Sequence, residues 1–148
     1  MIDIENMVID KVITDLATTI TDMPIEVTSG YDEEKAAPRT VVVRETGSVD
    51  YHKTATDANS ENHARLTYEI EIYSNKQNTG RSECKRIINA VDDIMKSMKF
   101  RRIYKSRPFN INRTRWRQYA RYEVIVGQPV TYDANTANER TVFQMYRR

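Results

Sequence analysis

A single cysteine in 148 residues excludes an internal disulfide framework and any all-cysteine metal site. Four glycines leave no glycine-rich phosphate loop. No apolar run approaches the ~20 residues of a membrane span, and no charged-then-apolar signal opens the chain. Membrane, secreted and nucleotide-binding readings are set aside on these grounds, and no cofactor is expected. Hydrophobic residues are scarce as well, at 39% against 30% charged, with a mean hydropathy of -0.70. That is lean for a monomer. A chain of this length nonetheless buries roughly 68–70% of its unfolded surface, and it is too short for two ordinary domains. One domain over residues 1–148 is expected.

The net charge of +2 conceals a separation of signs. Residues 1–34 carry nine acids, among them Asp3, Asp10 and Asp15, against the single base Lys11. Between Ile94 and Tyr122 there are ten bases and no acid, ending in Arg113, Arg115, Arg117 and Arg121. Such asymmetry points to a binding partner, and another copy of the same chain qualifies. The plainer alternative is that both sets are solvated faces that pair within the fold.

Apolar periodicity predicts two helices. In the first, Asp3 is placed to cap, and Ile9, Val12, Ile13, Leu16, Ile20 and Met23 recur at helical steps until Pro24 ends it. The second covers residues 79–98, with the stripe Cys84, Ile87, Ile88, Val91, Ile94, Met95 and Met98. Strands are predicted at 25–28, at 39–45 around Val41-Val42-Val43, at 64–73, at 100–104 and at 114–126. The third alternates cleanly, Leu66, Tyr68, Ile70 and Ile72 opposing Arg65, Thr67, Glu69 and Glu71. A turn is expected around Pro108. Residues 46–62 read as a projecting loop anchored only by Val49 and Tyr51, and residues 128–148 as a C-terminal arm ending in Val142, Phe143, Met145 and Tyr146.

The order α-β-β-β-α-β-β plus an arm implies an α+β domain. Its mostly antiparallel sheet would have four to five strands, with both helices on one face. The opposite face would carry Arg65, Glu69, Glu71, Arg115, Arg117 and Arg121, which makes it wet or covered by a charged partner.

Catalysis finds little support, and a non-enzyme is expected. His52 and His63 lie eleven positions apart, which is not a zinc-helix spacing. Cys84 falls on an apolar stripe, where a free cysteine behaves as a small hydrophobe. Asp92 and Asp93 point apart on their helix and cannot act as a carboxylate pair. A nucleic-acid surface is the stronger functional alternative, because residues 99–121 interleave Arg and Lys with Phe100, Tyr104, Phe109, Trp116 and Tyr119. Trp116 falls in the core-facing register, so stacking would rest on Tyr119 and the loop aromatics. No established RNA- or DNA-binding signature accompanies them.

The run Glu61-Asn62-His63-Ala64, followed by Tyr68-Glu69-Ile70-Glu71-Ile72-Tyr73-Ser74-Asn75-Lys76, resembles the central strand of tail-terminator proteins of tailed bacteriophages. The likeness continues through Gly80, Glu83, Ile87, Val91-Asp92, Ile94-Met95 and Phe100, resumes from Arg113 to Tyr122, and ends at a terminal Tyr-Arg-Arg. Residues 131–140 are longer than the family pattern, and Asp32-Glu33-Glu34-Lys35 replaces small hydrophobic loop residues.

The resemblance implies a structural protein of the virion neck, assembled in the host cytoplasm. It would form a homo-hexameric ring that caps the tail tube, stops its polymerisation and meets the head–tail connector or head-closure protein, with tail sheath a further contact in a contractile tail. DNA would pass through the lumen without specific binding. The alternative within the same particle is another neck component, a head-closure or head–tail adaptor protein. On this reading Arg113, Arg115, Arg117 and Arg121 meet Asp3, Asp10 and Asp15 of a neighbour, Val49 and Tyr51 make projecting-loop contacts, and Val142, Phe143, Met145 and Tyr146 make arm contacts. Asp32, Glu33, Glu34, Asp50 and Asp57 are the expected lumen acids.

Overall fold

A computed structural model describes residues 3–30, 38–50, 63–76, 78–112, 115–127, 130–131, 141–142 and 145–146. The elements are α1 (Glu5–Thr19), β1 (Glu26–Thr28), β2 (Arg39–Asp50), β3 (His63–Ser74), α2 (Gly80–Ser97), β4 (Arg101–Lys105), β5 (Phe109–Asn112), β6 (Arg115–Gly127), β7 (Val130–Thr131), β8 (Thr141–Val142) and β9 (Met145–Tyr146). The fold is α+β. Neither helix is long and apolar enough to cross a membrane.

The main sheet has seven strands rather than four to five, in the order β1-β2-β3-β6-β4, with β5 and β9 also paired to β6. All pairings are antiparallel except β1 with β2. Three short strands thus share the outer side of β6: β5 along its first residues, β4 along its middle and β9 along Ile125 and Val126. The turn expected around Pro108 is narrower than the sequence implied, because Phe109–Asn112 continues into β5.

The helices cover one face. Val41 and Val43, the even residues of β3 from Ala64 to Ile72, and Ala120, Tyr122, Val124 and Val126 form one core with α1 and α2. Each fully buried aliphatic side chain there contributes about 1.5–3 kcal/mol. Tyr68 and Phe100 meet edge to face at 5.4 Å, the favoured aromatic geometry. In α1 the buried stripe is Ile4, Val8, Val12, Leu16 and Ile20. Ile13 is not part of it. It is 44% exposed, because it lies a full 100° round the helix from Val12.

Helix α1 stops at Thr19, ahead of Pro24. The β-branched Thr18 and Thr19 both turn their hydroxyls onto the Asp15 carbonyl, at 2.9 and 2.8 Å, and Ile20 is already extended. Asp3 does not occupy the N-cap position, which belongs to Ile4, but its carboxylate accepts the Glu5 N–H at 3.1 Å. Helix α2 starts hard against β6. A Cβ on Gly80 would lie 2.4 Å from Trp116 Cδ1, so only glycine lets the helix approach the indole.

Residues 46–50, expected in the projecting loop, are strand. β2 runs on to Asp50 opposite Ala64, after a bulge in which Thr46 is the extra residue and donates its hydroxyl to Thr67 O at 3.1 Å. Low β-propensity in Gly47 and Asp50 yields to pairing with a strongly alternating partner. Residues 51–62, with Tyr51 and Asp57, lie outside the described residues.

Candidate interaction surface

The sheet face away from the helices is built around a carboxylate. Glu71 sits centrally on β3 at 2% exposure. It pairs with Arg44 of β2 and with Arg117 of β6 at 3.2 Å. Tyr73 donates its hydroxyl to Glu71 at 2.5 Å and accepts from Arg117 Nε at 3.2 Å. Burial alone would raise the Glu71 carboxyl. The Tyr73 hydrogen bond and the two guanidiniums outweigh it and hold Glu71 below its ordinary value. Burial and the Glu71 charge push the Tyr73 hydroxyl up to about 12. The centre of this face is therefore drier than the alternation of charged residues implied, with Val42 fully buried beside Glu71.

Around that centre lies an aromatic cluster threaded by arginines. The Arg117 guanidinium stands 4.6 Å from the Tyr119 ring centre, 5.5 Å from Phe109 and 5.9 Å from Tyr73. Arg121 lies 5.5 Å from Tyr119 and 5.9 Å from Tyr104. Tyr104 and Tyr119 are 5.5 Å apart, and Phe109 meets Tyr119 edge-on at 6.4 Å. Tyr104, Phe109 and Tyr119 come from β4, β5 and β6, and Ser106, between β4 and β5, is bonded to β6. Its N–H donates to Tyr119 O, its hydroxyl accepts the Tyr119 N–H, and its carbonyl accepts from Gln118. The result is a shallow, open concavity lined by Tyr104, Lys105, Ser106, Arg107, Phe109, Arg117 and Tyr119, with no acid among the described residues of its wall. Tyr104 is 48% exposed. Stacking of Arg on aromatic faces and open tyrosines give this surface the composition of a binding hot spot.

Five of the ten clustered bases pair with acids among the described residues. Lys96 and Arg102 pair with Asp92, Arg101 with Glu123, Arg117 with Glu71 and Arg121 with Glu69. Arg117 and Arg121, expected at an interface, thus have partners on their own sheet. The acids of α1 are engaged differently: Asp15 pairs with Lys11, and Asp10 is exposed with no ion pair among the described residues. Arg115 is half-buried near the start of β6. Val49 is exposed opposite Arg65, and Asp50 ends β2. The arm differs from a free extension, since β7 pairs with β8 through Val130 and Val142, and β9 places Met145 and Tyr146 opposite Val126 and Ile125. Arg113, Phe143, Asp32, Glu33 and Glu34 lie outside the described residues.

What the sequence left unassigned is the convergence of Tyr104, Phe109 and Tyr119. Their interleaving with arginine is visible in the sequence, but the predicted strands leave Phe109 in the turn between them. Other chemistry is sparse. Cys84 is buried on α2, and burial pushes its thiol up to about 12, so it stays protonated at neutral pH. No group of three His, Cys, Asp or Glu side chains suited to a metal occurs among the described residues. No protein-family model matches the chain, and no curated protein matches it in sequence.

Proposed function

We propose that this chain is a structural subunit of a bacteriophage neck, a tail-terminator protein that forms a hexameric ring on the tail tube and meets the head connector. The family and the number six come from the resemblance across β3, α2 and β6. The observation that carries the reading to a surface is the Tyr104–Phe109–Tyr119 concavity, with no acid among its described lining residues and with its stacked arginines. Its makeup suits protein contact. A lean composition and the exposed Asp10 of α1, without an ion pair among the described residues, fit a protomer that completes its burial against neighbours. Particles lacking this protein should show tails of irregular length and heads without joined tails by electron microscopy. Normal-length tails joined to heads would overturn the proposal. Irregular tails place the protein at the tube end, whereas normal tails left unjoined favour a head-closure or adaptor subunit.

The same concavity supports a second reading, single-stranded nucleic-acid binding, because Tyr104 and Phe109 are open to solvent beside Lys105 and Arg107. The competing feature is that Tyr119 is already stacked by both arginines. A gel-shift titration at about 50 mM salt, where phosphate contacts are strong, separates the two. Micromolar binding with a steep salt slope supports nucleic acid, and its absence supports a protein contact.

A further inference from the structure

We propose that the first turn of α1 is a proton-operated latch, seated on β2 while Glu45 is protonated and released when Glu45 ionises, which uncovers Ile4. This inference stands apart from the neck reading, and its test does not bear on it.

The latch lies where β2 leaves regular pairing. Glu45 directly precedes the bulge at Thr46 and stands opposite Tyr68 of β3, on the face the helices cover. The helix end reaches it there, because the Glu45 N–H donates to Glu5 Oε2 at 3.1 Å. Asp3 closes the group, its carboxylate accepting the Glu5 N–H. Ile4, between the two acids, is 1% exposed and belongs to the core. The ladder with β3 fixes β2 along its length. The helix turn is held to β2 by the Glu5 hydrogen bond and the packing of Ile4, so the turn is the part that yields.

Seating the turn gathers three carboxyls around a buried phenol. Asp3 and Glu5 from α1 and Tyr68 from β3 face Glu45. Among the described residues no base pairs with these carboxyls, and no charged group of α2 or β6 acts on Glu45. Arg44, the next residue along β2, lies on the opposite face and pairs with Glu71. Glu45 Oε1 and the Tyr68 hydroxyl are both buried, and neither has a well-formed hydrogen bond. An ionised Glu45 therefore lies among like charges with no described cation to offset it. A proton there removes one charge and supplies an O–H donor where acceptors are in excess. Burial, reinforced by the Asp3 and Glu5 charges, accordingly holds the Glu45 carboxyl above its ordinary value. The seated turn is thus most stable below the ordinary carboxylate range and loosens as pH rises through the raised value.

Amide hydrogen exchange on the full-length chain, corrected for its intrinsic pH dependence, tests the latch. The Val8 and Glu45 amides donate to Ile4 O and to Glu5. Their protection should fall about threefold or more between about pH 5 and about pH 8, while the β3–β6 ladder keeps its own. Glu45→Gln, neutral at every pH and close in shape, should hold the protection of the acidic end throughout. Glu71→Gln should leave the fall unchanged. In the wild-type chain, the Glu45 carboxyl followed by carbon NMR should titrate above its ordinary range. Protection independent of pH, a fall that persists in Glu45→Gln, or a Glu45 carboxyl titrating at or below its ordinary value overturns the latch.

Discussion

Lys99 ends α2 with φ at 71°, in the left-handed region, while its N–H and that of Phe100 donate to Lys96 O and Met95 O. A side chain there costs about 1 kcal/mol that glycine avoids. Lys99→Gly should therefore raise the melting temperature by about 3 °C, read by calorimetry. Gly80→Ala acts oppositely. Alanine gains about 1 kcal/mol of helix propensity but drives its methyl into Trp116, where overpacking costs about 1–3 kcal/mol. The net change should be destabilising, with the indole fluorescence shifted. A pH dependence follows from Glu71, Glu83 and Asp92. Burial raises each carboxyl, but hydrogen bonds and nearby cations hold all three below their ordinary values: Tyr73, Arg117 and Arg44 at Glu71, Arg39 and Ser74 at Glu83, and Lys96, Tyr122 and Arg102 at Asp92. As pH falls, the unfolded chain takes up these protons first. Stability is complete above the ordinary carboxylate range and is lost as pH drops through it toward the folded values. Denaturant midpoints at a series of pH values below about 5 test the sign.

Among the elements, β6 carries most of the architecture, pairing with β3 on one side and three short strands on the other. Glu71→Gln would leave Arg44 and Arg117 facing a neutral amide across the β2–β3–β6 surface. Both guanidiniums retain some water, so the loss should be about 1–3 kcal/mol, below that of a fully buried pair. Urea unfolding measures it. The alternation in Leu66, Tyr68, Ile70 and Ile72 made β3 readable, and the same period put Trp116 toward the core, where it packs beside Gly80. Periodicity fails where a strand is bulged or partly polar. Residues 46–50 become strand only because residues 64–67 lie opposite them, and β5 is four residues long with one out of register. The aromatic cluster was half legible for this reason. Its residue types stood in the sequence, but the face shared by Tyr104 and Tyr119 depends on Ile103 dropping out of the β4 ladder.

For the whole molecule, the separation of charge along the chain is only partly a separation in space. Lys96, Arg101, Arg102, Arg117 and Arg121 pair with acids outside the first third of the sequence. Asp10 and Glu26 are left without basic partners among the described residues. Both of these acids are exposed, where any contact is screened by salt within about 8–10 Å. In the proposed ring, assembly should therefore weaken as salt rises from about 50 mM to 500 mM while the melting temperature changes little. Sedimentation across that range checks it. Equal sensitivity of both quantities would locate the charges inside the fold.

The two bulges of β4 and β5 carry an evolutionary consequence. Tyr104 and Lys105 already stand opposite Arg121 and Ala120, and Asn112 opposite Arg115, as they would in an uninterrupted ladder from which Ile103 and Ile111 were missing. Losing one residue from a strand ordinarily throws every later side chain to the wrong face. Here an in-frame loss of the Ile103 or Ile111 codon would repair the ladder instead. Lineages gain or shed an edge isoleucine in a single genetic step, changing the side chains the edge presents while the sheet behind it stays in phase.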